Sequence, residues 1–455
     1  MDENCSHPVR APVLRVIFLV LIGVLLFRAL AAEPFTVPSG SMAPTLLGYH
    51  KTTRCPRCGF PVTVGCRHDV AQGEEPPLAG ASCPNCGCED LRLEQAAECH
   101  GDCLMVNKVA YDWRRPGRWE MIVFWAPCDA GKVFVKRVVA LPGEKVQVRD
   151  GDVFINGRLA RKSLAQLNAV RLPVFDQNCL PATDGWRCRW LADPPDADAG
   201  RNRVLYLNAS RDDREHALTY RQWSLDHQVE EPIRDTCAYD AGEQDQQLCH
   251  DFIVEADLEI RAGHGSVQLQ LTDGQDQARA RLAVGPGDTT RLSAGAPARS
   301  LPHLRLAAGR TYHVEFAFAD RRVSLAIDGK CCSESIDLPA ATKRLPVSRP
   351  VRLAAQGVDL AVHNFRLFRD VYYTPTGQHG IRRPVHLGPA EYFVLGDNSP
   401  DSDDSRYWPE PGVPERNILG RPFLVHFPSR IVRWEALGAS WACPALDWRR
   451  VRWLR

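Results

Sequence analysis

The chain opens on an apolar run. Pro12 to Ala32 reads PVLRVIFLVLIGVLLFRALAA, 21 residues whose only charges are Arg15 and Arg28. A helix of that length spans about 30 Å, the thickness of a bilayer's hydrocarbon core. Arg10 and Arg15 precede the uninterrupted stretch Val16–Phe27, so the positive-inside rule puts residues 1–11 in the cytoplasm and the chain beyond the anchor outside. Ala29-Leu30-Ala31 also fits a small-x-small cleavage site, which leaves a cleavable leader as the alternative. Past residue 32 the pattern becomes short and β-like. VFVKRVVALPGEKV (133–146) reads as strand, and YFVL (392–395) runs into a polar loop. FIVEADLEI (252–260), SVQLQL (266–271), RARLAV (279–284), TYHVEFAF (311–318), RVSLAID (322–328) and VDLAVHNFRLF (358–368) are alternating or β-rich between Gly, Pro and Asp breaks. The fold expected is mainly β, with six of these strands forming a β-sandwich.

Composition narrows this picture. A chain of 455 residues implies two to four domains, and 33 glycines with 34 prolines favour strands and turns over long helices. Mean hydropathy slightly below zero excludes a polytopic membrane protein and leaves room for one span. With 56 basic and 55 acidic side chains there is no global charge to draw nucleic acid, which is not expected as a partner.

Seventeen cysteines are many for this length. Cys55-Pro-Arg-Cys58 and Cys83-Pro-Asn-Cys86 are two CxxC pairs 24 residues apart, each followed by glycine. Two such turns can present four thiolates to a tetrahedral ion, so residues 51–102 read as a zinc ribbon with Cys55, Cys58, Cys83 and Cys86 as structural zinc ligands. Two disulfides are the alternative outside the cytoplasm. Cys179, Cys188, Cys237, Cys249, Cys331 and Cys332 lack metal spacing and read as disulfides or buried thiols.

Candidate chemistry begins just after the anchor. In PFTVPSGSMAPTLL (34–47), Pro38 and Gly40 bracket Ser39 and set Ser41 at the end of a short extended stretch. Lys136 lies among Phe134, Val135, Val138 and Val139; pointing inward, it would lose charge by desolvation and become a usable base. YFVLGDNSPDSDDSRYW (392–408) runs from a strand into a loop dense in Asp and Ser.

In this order, PSGSMAPTL, GDCLMVNKVAYD, KRVVALPGE with DGDVFINGR, and GDN…DSRYW with ILGRPFLVHFP resemble the bacterial type I signal peptidases. The resemblance covers about 150 residues and implies a signal-peptidase-type catalytic β-domain needing no cofactor for catalysis. It implies Ser41 as nucleophile and Lys136 as its general base, with the Ser41 amide and the Ser39 hydroxyl as oxyanion hole. Ser402 would orient the amine, Asp404 and Arg406 would pair beneath the loop, and Asp397 and Asn398 would shape its turn. Phe35, Val37, Pro38, Met42, Leu46, Phe134 and Val135 would line a groove for small residues, giving cleavage of signal peptides of exported preproteins after small-x-small sites.

The implied plan is an anchor (12–32) in the cytoplasmic membrane, a nucleophile segment (33–50), the ribbon (51–102) and a general-base segment (103–158). A polar insertion of unclear fold (159–248), a sandwich resembling laminin-G or concanavalin-type jelly rolls (249–372), the GDN/DSR segment (388–429) and a basic aromatic tail (430–455) follow. Six arginines and Trp434, Trp441, Trp448 and Trp453 in the tail suit either contact with anionic lipid or packing on the sheet. The competing function is an anchored non-catalytic module that binds glycan or protein through its sandwich, with a decayed peptidase core.

Overall fold

The alternating segments become strands in the computed structural model. It describes residues 14–16, 18–19, 22–23 and 31–454, except 67–79, 130, 182–188, 196–201, 211–213, 225–226, 240–246, 296–297, 333 and 437–438. The expected anchor lies largely outside the described residues. Among those described, no helix is long and apolar enough to cross a membrane.

Seven strands lead into the site: β1 (Ala32–Thr36), β2 (His50–Arg54), β3 (Pro61–Gly65), β4 (Ala97–Cys99), β5 (Cys103–Asn107), β6 (Met121–Trp125) and β7 (Val133–Ala140). β1 pairs antiparallel with β5, from Ala32↔Asn107 to Thr36↔Cys103. The late strand Ile418–Val425 inserts between β5 and β6, and β7 joins β6 to Glu391–Leu395, so segments distant in sequence share one sheet. β6 reads MIVFW with its first four residues buried, as a central strand covered on both faces should. Val37, Met42 and Leu46 pack with Leu104, Val106, Met121, Val123 and Val425 to form the core under the Ser41 turn.

The ribbon stretch contributes β2, β3 and β4 to a second sheet, which the hairpin Ser429–Ala436 and Ala439–Leu446 extends through Arg430↔Cys99. The C-terminal residues then fold back. Arg452–Trp453 pairs with Leu424–Val425, and Arg450 and Arg452 reach the fully buried Asp102 carboxylate. That carboxylate also accepts the Leu47 amide at 3.0 Å. Arg450 and Arg452 of the tail therefore pack against the segment after β4, while Trp448 and Trp453 stay more than 70% exposed. Among the described residues Cys179, Cys249, Cys331 and Cys332 are free thiols, and Cys188 lies outside the described residues.

The insertion departs from the expected strand list, with VDLAVHNFRLF lengthened to Val351–Arg369 and the unlisted strands Thr290–Ala294 and Arg299–Leu301 added. FIVEADLEI and SVQLQL, read as two strands, are one 21-residue strand, Phe252–Thr272. Gly263 and Gly265, at φ 99° and 152°, absorb register shifts where a turn was expected, and the chain continues along Val351–Arg369. Leu172–Asp176, Leu205–Asn208 and His216–Tyr220, from the stretch of unclear fold, pair with that same 19-residue strand. Both parts of the insertion thus share one sheet. A short helix, Leu164–Val170, opens the insertion with a Ser163/Gln166 capping box. Next to it Lys162 lies buried between Asp370 (2.7 Å) and Asp320 (3.1 Å), its ammonium 4.6 Å from the Trp119 ring just before β6.

Candidate active site

The turn after β1 is tied down through its backbone. Val37 N–H donates to Asp102 O at 2.9 Å, and Ala43 and Leu46 N–H donate to Gly40 and Met42 carbonyls at 2.9 and 2.8 Å. Met42 and Leu46 are wholly buried, so the turn is anchored by its apolar side chains and leaves Ser39 exposed and Ser41 just under the surface. Ser39 Oγ donates to Ser41 Oγ at 3.4 Å.

Lys136 is 3% exposed in β7. Burial strips water from its ammonium and lowers its pKa to about 8, against the opposing pull of Asp404 and Asp403. Its Nζ donates to Ser402 Oγ at 3.2 Å and lies 5.8 Å from the Phe134 ring centre. Among the described residues no hydrogen bond joins Ser41 to Lys136 directly. Ser402, the partner of Lys136, and the Ser41 backbone meet at Gly396, where an added Cβ would lie 2.2 Å from Ser402 Oγ and 2.3 Å from the Ser41 carbonyl oxygen. Only a residue without a side chain lets the loop come this close.

The loop itself is held by buried charge. Arg406 and Asp404, both 0% exposed, form a two-point ion pair at 2.8 Å through each nitrogen. Asp404 also accepts the Gly396 amide at 3.1 Å. The remaining Arg406 donors reach Thr374 O and Oγ1 and Ser399 O and Oγ. Asn398 donates from its backbone to Ser41 O and from Nδ2 to Gly40 O, both at 3.1 Å.

Three of these partners are absent from the sequence reading. Asp397 does more than shape a turn: it receives Arg137 Nε and Nη2 at 2.7 and 2.6 Å, both side chains being nearly fully buried. Arg137 Nη1 continues to the Trp119 carbonyl at 2.6 Å. The available signal was a basic residue followed by two buried valines in a strand, which cannot be buried without a carboxylate. Thr374 and Ser399, the partners of Arg406, carry no such signal. Of the seven expected groove residues, Val37, Met42 and Leu46 lie in the core. Phe35, Phe134 and Val135 are half-buried and Pro38 is exposed. Among the described residues β1 is paired on one side only, and Val133–Lys136 pairs with β6 alone.

The ribbon cysteines converge. Cys55, Cys58, Cys83 and Cys86 are all buried, with their sulfurs within 4.8 Å of one another. Cys55–Cys86 and Cys58–Cys83 are 3.5 and 3.7 Å apart. Zinc–sulfur bonds of about 2.3 Å in a tetrahedron put sulfurs about 3.8 Å apart, so the donor set fits that ion.

The family model described as signal peptidase, peptidase S26, matches residues 95–211 and 321–427. Those blocks contain Lys136 and the 397–406 loop; the Ser41 turn precedes them. The "Probable signal peptidase I-2" of Synechocystis sp. is 41% identical over 64 residues, 13% of this chain and 29% of its own length. The "Signal peptidase I" of Pseudomonas fluorescens is 29% identical over 160 residues, 32% of this chain and 38% of its own. The chain thus spans less than half the length of either relative. Among solved structures, the carbohydrate binding module CBM66 from Bacillus subtilis gives a TM-score of 0.26 at 12% identity, covering 40% of this chain and 95% of that one. A likeness that slight assigns nothing.

Proposed function

We propose that this chain, a relative of the type I signal peptidases, is a membrane-anchored serine endopeptidase that removes signal peptides with a Ser41/Lys136 dyad. The observation that carries the reading is the buried Lys136 amine on Ser402, whose loop backs directly onto the Ser41 turn. Neutral Lys136 takes the proton of the Ser41 hydroxyl as Oγ attacks the scissile carbonyl. The Ser41 amide and the Ser39 hydroxyl stabilise the oxyanion. Lys136 then returns its proton to the leaving amine, and water, activated by the same lysine, releases the acyl group from Ser41. The preprotein lies as an extended strand beside β1 and Val133–Lys136, where backbone is open to pairing. Half-buried Phe35, Phe134 and Val135 restrict it to small residues, so cleavage follows small-x-small sites. The anchor at 12–32 would set the catalytic unit on the outer face of the cytoplasmic membrane.

The full chain in detergent should cleave a preprotein whose signal peptide ends in Ala-x-Ala, and the Ser41→Ala protein should not. Mass spectrometry of the products reads the bond cut. Cleavage retained by Ser41→Ala rules the mechanism out.

Zinc at Cys55, Cys58, Cys83 and Cys86 would be structural, binding the two CxxC turns as a closed four-sulfur site. The purified protein should hold about one zinc per chain, and Cys83→Ser should lose it. Metal analysis that finds none would remove zinc from this reading.

A further inference from the structure

Gly40, between the two serines of the turn, abuts an aromatic ring from the insertion. A Cβ at Gly40 would lie 2.1 Å from Cε1 of Tyr239, and a Cβ at Gly65 would lie 2.5 Å from the same atom. The ring is thus seated against one glycine in the Ser39–Ser41 turn and another at the end of β3, in the ribbon sheet. Its hydroxyl donates to the Tyr49 carbonyl at 3.2 Å, and the Tyr239 carbonyl accepts the Gly65 amide at 2.9 Å. Ala43 and Leu47 cluster with it, and Tyr239 is only 6% exposed. Three parts of the chain far apart in sequence therefore meet on one side chain.

Resting on the reading of Ser41 as nucleophile, we propose that Tyr239 is a positioning residue. The insertion supplies a rigid ring that holds the nucleophile turn against the ribbon sheet. Asn398 holds the turn by one hydrogen bond each to the Gly40 and Ser41 carbonyls, a restraint on orientation that does not by itself block a sideways shift of the Gly40 Cα. The ring occupies the space into which it would move. Attack needs Ser41 Oγ within about 3–3.5 Å of the carbonyl carbon in the right direction, and a displacement of about 1 Å costs about 100-fold in rate. Glycine at position 40 is what lets the ring sit so close.

The test is a size-exchange cycle on the full chain, reading kcat and KM for the Ala-x-Ala preprotein. Tyr239→Ala should lower kcat about 10- to 100-fold, with KM and the pH midpoint unchanged. Tyr239→Phe keeps the ring and should retain most of kcat. Gly40→Ala should be severely impaired with the tyrosine present. In the Tyr239→Ala background the added methyl enters vacated space, so Gly40→Ala should cost much less there, and the two effects should not multiply. Full activity of Gly40→Ala beside the native tyrosine overturns the proposal, as does unimpaired kcat in Tyr239→Ala or strict multiplicativity in the cycle. The Gly40→Ala result decides even where Tyr239→Ala does not fold. A wild-type chain that leaves the preprotein intact instead removes the endopeptidase reading itself.

Discussion

Replacing Lys136 by methionine should reduce preprotein cleavage by at least about 10²–10⁴-fold, the usual contribution of a general base. Methionine keeps an unbranched apolar stem in a pocket that is 97% shielded from solvent and removes only the amine. Arginine should be no better, because its guanidinium stays protonated at any working pH. The pH profile of the native protein follows from the same burial. The protonated amine is the inactive form, and its pKa lies near 8 where an ordinary lysine lies near 10.5. kcat/KM should rise about tenfold per unit below pH 8 and level off above it. A profile still climbing at pH 10 would mean the base is an ordinary solvated lysine, and a flat one from pH 5 to 9 would mean it is not Lys136.

The second large effect is on stability. Arg137→Leu should destabilise the fold by about 3–5 kcal/mol, because it leaves the Asp397 carboxylate buried without its cation. Asp397→Asn in the same chain should restore part of the loss by removing the stranded charge. Urea midpoints of the two proteins make the comparison, and equal midpoints for Arg137→Leu and the native chain would rule out a structural role for the pair. Asn398, the next residue, holds Ser41 and Gly40, so the remaining folded Arg137→Leu protein should also show a lower kcat.

Strand content was legible wherever alternation was regular. TYHVEFAF and RVSLAID became Arg310–Ala319 and Arg322–Ile327. Gly263-His264-Gly265 was misleading because glycine serves a turn and a bulge equally, and only a partner strand, here Val351–Arg369, decides between them. The contacts of Lys136 with Ser402 and of Asp404 with Arg406 were expected from the resemblance of their short ordered segments to the type I signal peptidases, and the structure has both. Arg137 was not legible. Alternation puts it on the face opposite Lys136, and nothing along the chain says that Asp397, 260 residues away, will meet it there. Tyr239 was equally silent, since its weight comes from two glycines in other segments.

Period and motif are local properties, carried by a few neighbouring residues, so the β character, the CxxC turns and the Ser, Lys and Asp-Ser-Arg segments could be read from the chain alone. Burial is not local. Whether Lys136 loses its water, whether Met42 and Leu46 line a groove or fill a core, and whether the arginines of the tail face lipid or Asp102 depend on which distant segments close over them. Desolvation acts through space and not along the backbone. The assembled sheets therefore decided the burial of Lys136 and the grip on the Ser41 turn.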